Sequence, residues 1–308
     1  MPRPQVEFVQ TQWLDWDASR FDVRAGAVAK VLSEDDDTGA ATAVIAYPPG
    51  WQGTPHERLT CDEEFLLLEG GLQVNGVDYE YLSYGRFPAG YLRETMSAPA
   101  GAVVLTFFDR APQATTDYNR QRPFDPRKLV TKRDAQVEPW RRLHKPDMAP
   151  GAKRFDLKED PDTGEATWLL AGPPVRKGRF PERHPVVEET FIVEGWSMSP
   201  LGPMGPGAYF WRPPDIWHGP FCTPQSGKIG LVRSVGGPLS TEYDRSRVIP
   251  VDWHPRYQPV LPDAMAQAAA RFIGPAGEAP YSEADVLHVA SGGQWAAATW
   301  SVPAGGAQ

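Results

Sequence analysis

The chain carries two copies of one sequence unit, and this repeat restricts the fold more than any other feature. The segment 32–49 reads LSEDDDTGAATAVIAYPP, and 157–174 reads LKEDPDTGEATWLLAGPP, with eleven of eighteen positions identical at an offset of 125. The same offset aligns Glu63 with Glu188. A constant offset over such a stretch predicts two copies of one structural unit.

Composition and turn signals indicate that each copy is built from short β-strands. Glycine contributes 29 and proline 33 of the 308 residues, which disfavours long helices and favours strands joined by turns. Each copy begins with an Asp-Thr-Gly turn, followed by an apolar run that ends in a Pro-Pro pair. Only 262–273, PDAMAQAAARFI, has helical composition. We therefore predict an all-β fold with repeats at 25–120 and 150–245, a connector at 121–149 and a C-terminal extension at 246–308.

Charge and apolar content argue against several classes of protein. The net charge is -8 and no cluster of basic residues accompanies it, which disfavours a nucleic-acid-binding surface. No apolar run approaches the ~20 residues that span a bilayer. The first residues, MPRPQVEFVQ, lack the apolar core of a signal peptide. We therefore expect a cytoplasmic protein with no membrane or nucleic-acid partner.

Polar residues in the second copy have the spacing of metal ligands. Glu182 and His184 lie two positions apart, so on a β-strand they project to the same face. Glu188 follows after a bend at Pro185, and His218 comes later in the chain, after a Pro-Pro turn. Two imidazoles with one or two carboxylates suit a first-row divalent metal. The two-histidine, one-carboxylate set is typical of non-haem Fe(II), and Mn, Ni, Co or Zn also fits.

The first of these spacings resembles a motif of the cupin superfamily. That motif runs G-x5-H-x-H-x3-4-E-x6-G, and its second half is matched by His184-x3-Glu188-x6-Gly195. Glu182 stands where the motif has its first histidine. The resemblance covers about 25–245 and implies two tandem double-stranded β-helix (jelly-roll) barrels, a bicupin, with a short helical or irregular tail.

A second motif of the same family supports the resemblance. It runs G-x5-P-x-G-x2-H-x3-N, and Gly207-x5-Pro213-x-Asp215-x2-His218 matches it. Asp215 stands where the family has glycine, and Cys222 stands where it has asparagine.

The resemblance implies one divalent metal in the C-terminal barrel, with iron preferred. His184, Glu188 and His218 are the predicted ligands. Glu182 is a fourth ligand, a catalytic general base or, because Glu57 persists at the equivalent position of the first copy, a structural residue. The expected function is that of a metal-dependent enzyme acting on a small organic substrate, foremost an Fe(II)-type dioxygenase. A metal-dependent isomerase, lyase or hydrolase and a non-catalytic small-molecule-binding bicupin are the alternatives. The family also implies a homodimer.

The first copy has lost both histidine positions. They have become Leu59 and Arg93, whereas Glu57 and Glu63 remain. His56 has the wrong parity to replace a lost histidine. An arginine in this position pairs with a carboxylate rather than binding a cation. We therefore predict that the N-terminal barrel holds no metal.

Aromatic side chains crowd the second copy, and some of them are candidates for contact with substrate. Tyr209, Trp211 and Trp217 are predicted to line an apolar pocket for an aromatic or diketone-like substrate. Filling of the barrel core is the alternative. Arg183 is a candidate for holding a substrate carboxylate, with a surface salt bridge as the alternative.

Overall fold

A computed structural model describes residues 3–18, 20–115, 124–143 and 150–270 of the chain. These residues form many short antiparallel strands and divide into two compact units. The first unit contains 15–138 together with Arg3, and the second combines 4–14 with 139–270. The predicted all-β fold with two barrels is confirmed. The predicted extension at 246–308 lies only partly within the described residues.

The strands are short and are numbered in chain order. The chain begins with β1 (Val6–Gln10), which belongs to the second unit, and the first unit contains β2 (Val28–Glu34), β3 (Ala41–Tyr47), β4 (Trp51–Gln52), β5 (Arg58–Leu59), β6 (Glu63–Gly70), β7 (Leu72–Val74), β8 (Val77–Tyr79), β9 (Ser83–Phe87), β10 (Met96–Ala98), β11 (Ala102–Phe108), β12 (Ala114–Thr115) and β13 (Val130–Asp134). The second unit continues with β14 (Arg141–Arg142), β15 (Lys153–Glu159), β16 (Ala166–Gly172), β17 (Arg176–Lys177), β18 (Glu182–Arg183), β19 (Val187–Gly195), β20 (Ser197–Ser199), β21 (Gly202–Met204), β22 (Ala208–Arg212), β23 (Cys222–Thr223), β24 (Lys228–Val235) and β25 (Glu242–Tyr243).

Helices are few in the described part of the chain. Single 3-10 turns occupy Thr11–Trp13, Asp22–Arg24 and Pro126–Lys128. The α-helix α1 spans Asp263–Ala270, inside the segment that its composition marks as helical. None of the helices in the described residues has the length and apolar content needed to cross a membrane.

The first unit has its core between two sheets. Its six-stranded sheet has the order β13-β9-β6-β11-β3-β2, and its four-stranded sheet has the order β4-β10-β7-β8. Ile45 and Phe65 of the larger sheet belong to the same buried cluster as Leu72 and Met96 of the smaller sheet. Alternate side chains of both sheets therefore fill the interior, as expected of a small barrel.

The second unit repeats this topology. Its large sheet has the order β1-β22-β19-β24-β16-β15-β14, and β17-β23-β20-β21 form the smaller sheet. The run β22-β19-β24-β16-β15 matches β9-β6-β11-β3-β2 strand for strand at the offset of the sequence repeat. The strands added at the edges differ in origin. The predicted connector supplies β13 to the first sheet, and β1, from outside the repeat, pairs with β22 in the second.

One glycine position illustrates how closely the backbones repeat. Gly70 and Gly195 both have positive φ angles, 75° and 65°, at the ends of β6 and β19. A Cβ atom at either position would lie 2.1 Å from the carbonyl oxygen of Gly101 or Gly227 respectively. Both the backbone conformation and the close approach therefore require glycine in each copy.

The interior of the first unit contains a buried network of ion pairs. Arg24 donates to Glu57 at 2.9 Å and to both oxygens of Glu63 at 2.7 and 2.8 Å. Arg93 donates to Glu63 Oε2 at 2.6 Å. All four side chains are nearly inaccessible to solvent. In the first unit, guanidinium groups therefore surround Glu57 and Glu63, the two carboxylates that the repeat aligns with Glu182 and Glu188 of the second unit.

We expect Glu63→Gln to destabilise the protein by about 3–5 kcal/mol at pH 7, because it leaves two buried guanidinium groups without their shared carboxylate. Burial raises the pKa of Glu63, but Arg24 and Arg93 outweigh it and hold this pKa below its ordinary range. The stabilisation is therefore complete above the ordinary glutamate pKa of about 4.3 and is lost as the pH falls below it. Urea unfolding at pH 7 and pH 4 measures both effects.

Glu80→Gln is the matched control for this measurement, because the Glu80 side chain is exposed. An equal loss of stability in the two variants would contradict a stabilising role for the network.

Candidate metal centre

Two backbone contacts bring the predicted ligands together in the second unit. Glu182 lies in β18, and His184 follows directly after it. His218 lies in the loop between β22 and β23, and its backbone exchanges two hydrogen bonds of 2.9 Å with that of Glu182. In the first unit Glu57 and Arg93 form the same isolated bridge. The repeat therefore extends to the ligand positions themselves.

The loop before His218 is also fixed to His184. The backbone N–H of Asp215 donates to the carbonyl oxygen of His184 at 2.8 Å. Asp215 has a φ of 63°, in the left-handed region that favours glycine, and it stands where the cupin motif has glycine. Aspartate is among the residues that tolerate this conformation best, so the substitution retains the loop geometry.

Both imidazoles are held with the same nitrogen pointing toward the site. His184 Nδ1 lies 2.8 Å from the carbonyl oxygen of Ser240, and His218 Nδ1 lies 2.8 Å from that of Ile216. A carbonyl oxygen only accepts, so each Nδ1 carries the proton and each Nε2 presents a lone pair. Both Nε2 atoms are buried and have no hydrogen-bond partner within the described part of the chain.

The four residues predicted to bind a metal converge at these two nitrogens. Glu182, His184 and His218 each have one possible ligand atom that lies within 4.8 Å of those of the other two. Glu188 Oε2 lies 3.5 Å from His184 Nε2 and 3.4 Å from His218 Nε2, too far for good hydrogen bonds. The gap between these donors is the size that a metal ion bridges.

Burial and nearby charges set the protonation of the predicted ligands. Burial and the positive charge of Arg212 lower the pKa of His218 to about 3, so its imidazole is neutral at pH 7. Burial raises the pKa of Glu188, but the positive charge of Arg212 opposes burial most strongly, and this pKa is lowered overall. Burial, and then the proximity of Glu188, raise the pKa of Glu182.

Arg212 is a residue of this site that the motif matches did not identify. Its guanidinium donates to Glu188 Oε2 and, through Nε and Nη2, to both oxygens of Glu7. The Nε contact with Glu7 measures 2.7 Å, and Arg212 is almost fully buried. Glu7 lies in β1, so the N-terminal strand provides the second carboxylate that holds this arginine in place.

A cavity of about 100 Å³ lies beside these donors. Glu182, His184 and Glu188 line it, and apolar walls are provided by Phe210 and Phe221, whose rings stack at a centroid distance of 6.3 Å. Cationic side chains also line it, and these are Arg154, Arg176 and Lys228. The cavity has room for several waters or for a small organic molecule.

The residues predicted to contact substrate do not line this cavity. Glu188 of β19 lies opposite Arg212 of β22, and both side chains belong to the face that carries the site. Side chains alternate along a strand, so Tyr209 and Trp211 of β22 point to the opposite face. Tyr209 donates to Glu189 at 2.7 Å on that face.

Arg183 and Trp217 form a contact of their own at the edge of the unit. Arg183 forms an ion pair with Glu242 at 2.8 Å, and its guanidinium lies 4.7 Å from the ring centroid of Trp217. Trp217 is 38% exposed.

Alternation of side chains along β22 is the signal in the sequence that could have identified Phe210 and Arg212 as the inward-facing residues in place of Tyr209 and Trp211.

We expect Glu7→Gln to destabilise the second unit by about 3 kcal/mol, because it leaves Arg212 buried with one carboxylate partner fewer. The same substitution at Glu242, in the exposed pair with Arg183, is expected to cost at most about 1 kcal/mol. Urea unfolding of both variants measures the difference, and hydrogen exchange should report faster opening of β1 in Glu7→Gln. Equal costs at the two sites would contradict a structural role for the buried pair.

Comparisons with known proteins extend these observations. A family model described as "Domain of unknown function (DUF4437)" matches residues 5–238. No curated protein matches the sequence.

Solved structures give a consistent result for the fold. The chain is similar to a candidate dioxygenase from Nostoc punctiforme, with 19% identity over 80% of this chain and 87% of that one, at a TM-score of 0.68. It is also similar to oxalate decarboxylase from Bacillus subtilis, with 13% identity, coverage of 77% and 78%, and a TM-score of 0.52. The coconut allergen cocosin has 9% identity, coverage of 79% and 87%, and a TM-score of 0.52. The chain therefore belongs to the DUF4437 family and has the two-barrel cupin fold.

Proposed function

We propose that this protein is a metal-dependent enzyme that acts on a small organic substrate in its C-terminal barrel. The proposed metal is a divalent ion, foremost iron, bound by His184, His218, Glu188 and Glu182. One observation carries the proposal: two buried Nε2 atoms face the same point, and no described residue is a hydrogen-bond partner of either. Buried polar atoms normally have partners, so two orphaned nitrogens beside two carboxylates indicate that a cation completes the site.

The donor set favours oxidative chemistry. Two imidazoles with carboxylate oxygens are the ligands of non-haem iron oxygenases, and we propose Fe(II)-type dioxygenase activity on this ground. Similarity to a candidate dioxygenase from Nostoc punctiforme supports the same choice. When bound, iron in such a set supplies Lewis acidity and electron transfer to O2.

The protein's own groups position the ligands and provide a site for a proton. Arg212 keeps Glu188 ionised and oriented, and the carbonyl oxygens of Ser240 and Ile216 fix the tautomer of each imidazole. Among the described residues, Glu182 forms no ion pair with an arginine. Its pKa is also raised, so its carboxylate is the one of the pair that takes up a proton most readily.

Removing either imidazole should abolish metal binding. We expect His184→Ala and His218→Ala to lose the metal, because each deletes one of two neutral nitrogen donors. His56→Ala and Arg93→Ala, at the corresponding end of the first barrel, should retain it. Elemental mass spectrometry of the four variants measures this, and equal metal content in all of them would refute the assigned site.

Glu182→Gln separates the two roles predicted for Glu182. Loss of metal from this variant would identify Glu182 as a ligand. Retained metal with loss of turnover would identify it as the group that transfers a proton.

Metal identity and O2 uptake together test the proposed activity. The protein is purified anaerobically without an affinity tag, and its metal content is measured by elemental mass spectrometry. We expect about one equivalent of iron, and substrate-dependent O2 uptake in a screen that includes diketones and catechols. One equivalent of Zn, Ni or Mn would favour an isomerase, lyase or hydrolase. No metal after reconstitution would favour a non-catalytic binding protein.

A further inference from the structure

Two cationic side chains line the cavity of the second unit, and neither forms an ion pair with a carboxylate in the described part of the chain. Among the described residues, the guanidinium of Arg176 makes no hydrogen bond or ion pair, and its Nε is buried and unpartnered. The Nζ of Lys228 donates to the neutral hydroxyl of Ser197 at 3.1 Å. By contrast, Arg154, the third cation of the lining, is paired with Asp156 at 2.5 Å.

The two cations lie close enough to repel one another. Burial lowers the pKa of Lys228 to about 8, and the positive charge of Arg176 is the next largest cause of this shift, which Glu188 and Glu182 oppose. A buried pair of like charges is unfavourable unless an anion lies between or beside them. The cavity that both side chains line is the space that such an anion would occupy.

A count of formal charge gives the same result. In the proposed metal site a divalent cation balances Glu182 and Glu188, and Arg212 balances Glu7. Arg176 and Lys228 are then left as two uncompensated positive charges on the cavity wall. A neutral substrate would leave both of them without a counter-charge in a partly desolvated space.

We propose that the substrate of this site is a small organic acid whose carboxylate is bound by Arg176 and Lys228. The inference deepens the proposed function, on which it rests for the assignment of Glu182 and Glu188 to the metal. The guanidinium of Arg176 offers a planar fork that matches a carboxylate, and Lys228 adds a point charge. Phe210 and Phe221, which also line the cavity, provide apolar contact for the rest of the acid.

Binding of matched acids and amides to the metal-loaded protein tests this proposal. The probes are benzoate and propionate, with benzamide and propionamide as neutral counterparts of the same shape, measured by isothermal titration calorimetry. We expect at least one acid to bind at least tenfold more tightly than its amide. Arg176→Gln and Lys228→Met should each weaken the binding of that acid at least tenfold.

Lys177→Gln is the matched control, because Lys177 neighbours Arg176 in β17 but is exposed and does not line the cavity. This variant should bind the acid as the unaltered protein does. Metal content is measured in every variant, so that loss of the proposed metal site is distinguished from loss of the anion site. Failure of the unaltered protein to take up metal would overturn the proposed function.

Three results would overturn the carboxylate site while leaving the metal site intact. The first is metal-loaded protein that binds acids and amides equally or binds neither. The second is binding of the acid that both cavity variants retain. The third is an equal loss of affinity in Lys177→Gln, which would indicate a general effect of surface charge.

Discussion

A glutamate at the same position of the repeat is buried against arginine in each barrel, although the arginines come from different positions, and the interior of each barrel depends on this contact. Glu63 is held by Arg24 and Arg93, and Glu188 is held by Arg212. A buried carboxylate costs several kcal/mol unless a charged partner and hydrogen bonds compensate it. Two guanidinium groups surround Glu63, and their hydrogen bonds use the capacity of this carboxylate to accept. One guanidinium group holds Glu188, and this carboxylate also faces the Nε2 lone pairs of two imidazoles.

Much of this architecture could be predicted from the sequence because it depends on local regularities. Strand alternation, turn residues and the repeat offset determine where polar side chains face inward, and so Glu182, His184 and Glu188 could be located. Arg93 stands where the repeat loses a histidine, so its contact with a carboxylate could be predicted, whereas the contacts of Arg24 and Arg212 could not. Glu7 lies outside the repeat, and its contact with Arg212 joins residues about 200 positions apart. Such a pairing has no signature in spacing or composition.

The cavity lining illustrates a second limit of sequence reasoning. Aromatic character predicts that Tyr209 and Trp211 line a pocket, whereas the register of β22 against β19 directs their neighbours Phe210 and Arg212 inward. A shift of one residue exchanges the two faces of a strand, and a short strand between turns offers little pattern to fix its parity. Lys228 and Arg176 begin strands that carry no motif, so only the folded barrel reveals that both reach the same space.

The origin of β1 has a consequence for the order of events during synthesis. The first barrel can pair its strands as soon as residue 134 has been made, but β1 must wait for β22, about 200 residues later. At ribosomal rates of roughly 5–20 residues per second, this wait is about 10–40 s. Throughout that interval an apolar strand with unpaired N–H and C=O groups is available to other partners. The strand that completes the second barrel is therefore exposed to incorrect pairing for most of the time that the chain is being made.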